Sequence, residues 1–193
     1  MAKRVFFSFH YQDVIDFRVN VVRNHWVSKP ERESAGFFDA GLWESTKRTG
    51  KIALKNLINS GLNNTSVTCV LIGSQTYERP WVRYEILKSF KRGNAIIGVH
   101  INSIKGKDQI TKPNGPNPLE YLGITFSDNG KTATLWEKIS NSWQEYQDID
   151  GGSSYSVDVA QEYWGKGFNF SQWFHVYDWV ANDGYNNFPN WIG

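Results

Sequence analysis

Residues 66–101 constrain the fold more than any other stretch of the chain. Ser66-Val-Thr-Cys-Val-Leu-Ile-Gly73 and Ala95-Ile-Ile-Gly-Val-His-Ile101 are short apolar runs rich in β-branched residues, the pattern of strands buried on both faces. Between them Pro80 opens a helical segment, Trp81 to Arg92, and Gly93 closes it. Strand, helix and strand in this order predict a βαβ unit with parallel strands, hence an α/β fold. The loop after Gly73, beginning with Ser74, and the first turn of the helix then lie at the carboxyl edge of the sheet, where such folds bind ligands. Trp81 and Glu85 are four residues apart and share a helix face. An acid beside a large aromatic at that edge is the leading active-site candidate, and Ser74 joins it as an expected substrate contact.

Upstream, Arg4-Val-Phe-Phe-Ser-Phe9 reads as a central strand, followed by Asp13 as a helix cap. Val14, Phe17, Val21 and Val22 have the spacing of a helical core stripe. Ala35-Gly-Phe-Phe-Asp39 is a weaker second strand, and residues 40–50 read as a polar loop. A helix follows with Ile52, Leu54, Leu57 and Ile58 apolar, ending near Gly61 and Asn63. Residues 102–118, rich in Gly, Pro, Asn and Lys, predict a long loop, a class that is often functional or mobile. Beyond Leu119, Thr132-Ala-Thr-Leu-Trp136 suggests an edge strand, and Phe170, Trp173, Phe174 and Tyr177 have helical spacing. Six of the nine tryptophans lie from Trp136 onward. They could form an aromatic platform, but packing of the last helix and tail against the sheet is the better reading, since aromatics carry large buried areas.

A chain of 193 residues with 40% hydrophobic content suits one domain, 1–193, with a core over about 1–125 and an elaboration over about 126–193. The single cysteine, Cys69, lies in an apolar strand and reads as a core residue, so a disulfide within the chain is excluded and a reducing, cytoplasmic setting is expected. No apolar run approaches a membrane span, and the stretch after Lys3 and Arg4 is too short for a signal peptide. Residues 1–112 hold 18 Lys/Arg and 9 Asp/Glu, while residues 113–193 hold 3 and 10. That asymmetry could give a basic face for a phosphate-bearing ligand, or an acidic half pairing with it in a homo-oligomer. An ordinary solvated surface explains it better. No basic run with interleaved aromatics suggests nucleic acid.

Several chemistries are excluded. The chain has no phosphate-binding P-loop, no GxGxxG opening a helix and no GxSxG elbow. His10, His25, His100 and His175 are scattered, so no metal site is expected. Asp148-Ile-Asp150-Gly-Gly begins like a calcium loop, but Val159 stands at its twelfth position. Serine–histidine chemistry from Ser8 and His10 stays open, with a place at a pocket edge the better reading of both. An exposed Glu in a first helical turn is usually only favourable for the helix dipole, so Glu85 needs further context.

That context is the ordered set Phe6-Phe-Ser-Phe-His-Tyr-Gln-Asp13, Gly36-Phe-Phe-Asp39, Val67-Thr-Cys-Val-Leu-Ile-Gly73 and Trp81-Val-Arg-Tyr-Glu85. The set resembles the Toll/interleukin-1 receptor (TIR) domain superfamily, in particular the ThsB-type proteins of the bacterial Thoeris anti-phage system. The resemblance covers the first two-thirds of the chain. It implies a flavodoxin-like fold, with a mostly parallel central sheet flanked by helices and here an aromatic-rich C-terminal extension. It also implies cleavage of NAD+ at the nicotinamide–ribose bond, with NAD+ as substrate and no separate cofactor. Glu85 of W-x-x-x-E takes the family's catalytic role and Trp81 its neighbouring aromatic. Phe9, His10 and Tyr11 match the nucleotide-contacting loop, and Asp39 matches the acid that ends the second strand. Implied partners are a phage-derived activator and an effector reached through a diffusible cyclic ADP-ribose isomer. Glu78 and Arg79 depart from the family, which often has a small or thiol residue shortly before the Trp. A non-catalytic TIR-like interaction module and an enzyme like the nucleoside deoxyribosyltransferases, with a Glu nucleophile, are the alternatives.

Overall fold

The computed structural model describes residues 3–36, 38 and 40–193. In chain order its elements are β1 (Lys3–Phe9), α1 (Gln12–Ile15), α2 (Arg18–Val27), β2 (Arg32–Ala35), α3 (Ala40–Thr49), α4 (Lys51–Leu62), β3 (Val67–Ile72), α5 (Pro80–Lys91) and β4 (Ala95–His100). There follow β5 (Leu122–Phe126), β6 (Thr132–Ile139), β7 (Ser142–Glu145), β8 (Ser154–Ser156), β9 (Gly167–Asn169), β10 (Val176–Asp178) and α6 (Gly184–Ile192).

The βαβ unit read from residues 66–101 is present as β3, α5 and β4, with β3 paired in parallel to β4 from Val67↔Ala95 to Ile72↔His100. These strands sit inside a five-stranded parallel sheet ordered β10-β4-β3-β1-β2. Alternate residues of one strand face opposite layers. Val5, Phe7, Cys69 and Leu71 face Val19, Val22 and Trp26 of α2 and Phe188 of α6, whereas Phe6, Val70 and Ile72 face Leu54 and Ile58 of α4 and Val82 and Ile86 of α5. Helices thus cover both faces, as the unbroken apolar strands require.

The second sheet is antiparallel, ordered β7-β6-β5-β9 with β8 also paired to β6. Its Leu122, Ile124, Ala133 and Leu135 extend the layer containing α4 and α5. Polar contacts tie it to the outer side of α5. Arg83 pairs with Glu137 at 2.9 Å, and the Tyr84 hydroxyl lies 3.0 Å from both Asp150 Oδ2 and Asn59 Oδ1.

Several expectations are corrected. Asp13 caps nothing: Tyr11 holds the N-cap position, and Asp13 lies inside α1, buried at 4% exposure. The Val14–Val22 stripe is broken at Phe17, which has φ 63° and is half exposed, so the core face of α2 is Val19, Val22 and Trp26. The second strand is Arg32–Ala35; Gly36, at φ +83°, ends it, and a Cβ there would strike the Phe7 carbonyl. Phe37 and Asp39 lie outside the described residues. The polar loop over 40–50 is helix α3. Thr132–Trp136 belongs to an interior strand, β6, and not to an edge. Phe170–Tyr177 is a 3-10 turn followed by β10 and not a helix. The fifth parallel strand and the last covering helix therefore come from residues 176–192, and the antiparallel sheet is inserted between β4 and β10.

Residues 102–118 are irregular as expected, but they form a strap. The fully buried Arg18 donates to the carbonyls of Ile104 (3.0 Å) and Ile110 (2.6 Å) and to Asp16 (2.9 Å). Lys112 also pairs with Asp16.

Candidate active site

The chain leaves β1 towards the face covered by α2 and leaves β3 towards the face covered by α5. The carboxyl ends of these neighbouring strands therefore form the switch point at which open α/β sheets hold ligands. A cavity of about 350 Å³ opens there. β1 and its exit contribute Phe7, Phe9, His10 and Tyr11; the turn after β2 contributes Gly36 and Phe38; α3 contributes Trp43 and Lys47; and the start of α5 contributes Arg79, Pro80, Trp81, Val82 and Glu85. Phe38 stacks on Trp43, ring centroids 5.9 Å apart, so the wall next to α3 is a flat aromatic surface.

Pro80 at the first helical position fixes where α5 begins. Trp81 and Glu85 then turn to the same side, as their spacing predicts. Glu85 is buried, 6% exposed, at the inner end of the cavity, where Ser8 Oγ of β1 donates to its Oε2 at 2.5 Å. Burial pushes the carboxyl pKa up to about 8, and the Ser8 hydrogen bond acts in the opposite direction. Near neutral pH the resting carboxyl therefore holds its proton, and a cation arriving beside it favours the anion. His10 is pushed down, first by burial and then by the charge of Arg79, so it presents a neutral imidazole. Asp13, close to the cavity but not lining it, is pushed up to about 6 by burial, with Lys112 the largest influence drawing it back. A Cβ on Gly73 would collide with its carboxylate.

The structure brings together Phe9, His10, Tyr11, Trp81 and Glu85. Ser74 is not among them. Its hydroxyl donates to Pro113 of the strap at 3.4 Å, and Gly115 packs on the Gly73 carbonyl, so this turn is covered by the 102–118 segment. Asp39 lies outside the described residues. Sequence reasoning missed Phe38, Trp43 and Lys47 and the grip of Ser8 on Glu85. Trp43 and Lys47 are four apart, a helical signal that the loop reading of residues 40–50 concealed. Arg79, noted only as a departure, is a lining residue.

Elsewhere, Trp179 is fully buried against Phe188 of α6, as the packing reading of the tail expects. Trp136 and Trp143 instead flank an open groove of about 470 Å³ over Gly123 and Gly167. Among the described residues no group of three or more His, Cys, Asp or Glu side chains could hold a metal ion, and no helix is long and apolar enough to cross a membrane.

Residues 6–105, which carry every described lining residue of the cavity, match the family model described as Thoeris protein ThsB, TIR-like domain. A protein of Bacillus cereus (strain MSX-D12), whose name assigns it provisionally as the cyclic ADP-D-ribose synthase ThsB1, is 59% identical over 194 residues, covering 100% of both chains. The ordered motifs, the parallel sheet with its switch-point cavity and these two matches lead to one conclusion: the chain belongs to the ThsB family of TIR-like domain proteins of the Thoeris system.

Proposed function

We propose that this chain consumes NAD+ in anti-phage defence, breaking the nicotinamide–ribose bond at Glu85 and closing the ADP-ribosyl group on itself into a cyclic messenger for a separate effector. The observation that carries this reading is a single buried carboxyl, held by Ser8, at the inner end of a cavity walled by aromatic rings. The name of the Bacillus cereus relative supports the choice of product.

The chemistry suits one carboxyl. The bond that breaks joins ribose C1′ to the ring nitrogen of nicotinamide, and its electron pair leaves with that nitrogen. Nicotinamide in NAD+ is already cationic and needs no proton to depart. Positive charge develops on the ribose, as in glycoside hydrolysis. A carboxylate beside it stabilises that charge and can orient the ribose hydroxyls. The pKa near 8 fits this role, because the cationic substrate itself favours loss of the Glu85 proton. A ribose hydroxyl of the same molecule then attacks C1′, giving up its proton to the Glu85 carboxylate, and closes the ring. Trp81, Phe9 and Phe38 wall the cavity with apolar surface, which excludes water and favours closure over hydrolysis. A phage-derived cue is proposed to switch the enzyme on, since unregulated NAD+ consumption would harm the host.

The test is mass spectrometry of nucleotides from phage-infected cells carrying the wild-type chain or Glu85→Gln. A cyclic ADP-ribose-type product in the first and not in the second is expected. Equal product in both would remove Glu85 from the chemistry, and no NAD+-derived product in either would end the reading.

A further inference from the structure

The cavity is graded in charge and exposure. Its inner end holds Glu85, buried, and the only acid among its described lining residues. Its outer part holds two cations, Lys47 on α3, which is exposed, and Arg79 in the turn before α5, whose side chain is 36% exposed. The ammonium of Lys47 makes no ion pair or hydrogen bond with any described residue. Lys47 stands four residues after Trp43, on the helix face that meets the cavity.

Arg79 is held in place by its own turn. Its Nε donates to the Gln75 carbonyl and its Nη2 to Gln75 Oε1, both at 3.2 Å. Glu78 stands off at 3.7 Å and is half exposed, so this pairing is weak. Nη1 has no partner among the described residues and keeps its donors for a ligand. The neighbouring His10 adds no charge, because burial and Arg79 itself keep the ring neutral. With Glu85 protonated at rest, the described lining residues of the cavity carry two positive charges, supplied from two separate elements, and no negative one.

We infer that Lys47 and Arg79 form a diphosphate subsite, gripping the pyrophosphate bridge of a dinucleotide at the mouth while the ribose to be cleaved reaches Glu85 inside. The inference rests on the NAD+ reading and adds to it the groups that tell a dinucleotide from a nucleoside. An uncharged nucleoside would leave both cations unpaired, whereas a diphosphate supplies two negative charges and the acceptors that guanidinium and ammonium donors match. The order of exposure matches the order of the substrate: reacting ribose deep, phosphates at the rim, adenosine outward. A cavity of about 350 Å³, at the lower end of ordinary ligand sites, holds a nucleoside-sized part of the molecule and leaves the rest at the opening.

The test is equilibrium binding to the full chain by calorimetry, with NAD+, inorganic pyrophosphate and nicotinamide riboside as probes, on the wild type, Lys47→Ala, Arg79→Ala, the double alanine variant and the charge-keeping Lys47→Arg. Both side chains reach solvent, so melting temperatures should stay within a few degrees of wild type, a check on folding. Each alanine change should weaken NAD+ and pyrophosphate about tenfold, as expected for loss of a charge-assisted contact. Lys47→Arg should bind nearly as wild type, and the riboside, which lacks phosphate, should be indifferent to all four. Equal NAD+ affinity in the wild type and the double variant would overturn the subsite and leave the NAD+ reading standing. Pyrophosphate binding that depends on both cations, without NAD+ binding, would keep the subsite and overturn the substrate. Absence of binding by both probes would overturn both.

Discussion

Ser8 and Glu85 are 77 residues apart in the chain, and their oxygens lie 2.5 Å apart in space. One is on an interior strand of the parallel sheet and the other on the helix that covers it, so the acid is held between two packed elements. The arrangement strains neither backbone. Its cost is electrostatic, a carboxyl kept away from water with one donor to support its charge. That cost is what prepares the group to meet a cation.

Replacing Glu85 with Gln should reduce formation of the cyclic product by about 100-fold or more, the scale seen when one preorganised electrostatic stabiliser is removed. The fold should survive, because Gln keeps the size and can still accept from Ser8. Product quantification alongside circular dichroism checks this, and a wild-type rate from a folded Gln variant would contradict it.

The same variant should gain stability, and the gain should depend on pH. The Glu85 pKa is about 8 when folded, against the ordinary value of 4.5. Between these values the folded chain holds a proton that the unfolded chain has lost, so wild-type stability falls as pH rises through that window. Gln has no proton to lose. The stability difference should be near zero at pH 4.5 and reach on the order of 2–4 kcal/mol by pH 8. Urea unfolding at several pH values measures it, and a difference independent of pH would show that the carboxyl is ionised in the folded state.

Ser8→Ala removes the donor that favours the Glu85 anion. With the Glu85 pKa at about 8, kcat/KM of the activated wild-type enzyme should rise with pH around that value, and in the variant the rise should move about one unit higher, the equivalent of one hydrogen bond to a charged group. A drop in rate with no shift in the profile would mean that Ser8 matters only for packing.

The Arg83–Glu137 pair, with side chains 12% and 14% exposed, joins α5 to the second sheet. Glu137→Ala leaves a largely buried guanidinium without its partner and should cost about 2–4 kcal/mol in urea unfolding, while Arg83→Met with Glu137→Leu should recover most of that loss. If the single variant costs no more than an exposed pair would, this pair adds nothing to the other contacts that couple the two sheets.

Arg18 holds the strap through two carbonyls and Asp16. Arg18→Ala should destabilise the chain by about 3 kcal/mol and raise amide hydrogen exchange across residues 102–118 more than in β3. If the strap is what an activator acts on, extract from phage-infected cells should change exchange there in the wild type. Activation with unchanged exchange would place the switch elsewhere.

The parts of the fold visible in the sequence were those whose signal is local. β3, α5 and β4 are apolar runs punctuated by Pro80 and Gly93, and Glu85 follows from helix spacing once the edge of the sheet is known. The parts that were hidden draw their stability from distant contacts. Helix α3 has only Leu42 and Trp43 as large apolar residues, too few for a stripe. Helix α6 contains Gly184, three Asn residues and an internal Pro189, a poor helix by propensity that Phe188 and Ile192 anchor in the core. Strands β7 and β8 are Ser-Trp-Gln-Glu and Ser-Tyr-Ser, with little apolar alternation, and exist because the edge of β6 away from β5 offers its backbone to both. Lys47 and Arg79 were unreadable as site residues for a simpler reason: a lone surface cation has no period, and only the fold shows that it stands at the mouth of a cavity.

Strand β10 pairs with β4 from Val176↔Gly98 to Asp178↔His100. As the chain emerges from the ribosome, the β4 edge and the apolar face later sealed by Phe188 must wait until residues 176–192 have been made. Until then β4 offers an unpaired parallel edge, the kind of surface that recruits unwanted strands. A chain cut near residue 105, where the family match ends, would carry Ser8, Trp81 and Glu85 but lack the strand and helix that close the sheet. Synthesis through residue 192 should thus act as a checkpoint: fragments that stop before it should aggregate or be degraded before they can assemble a working site.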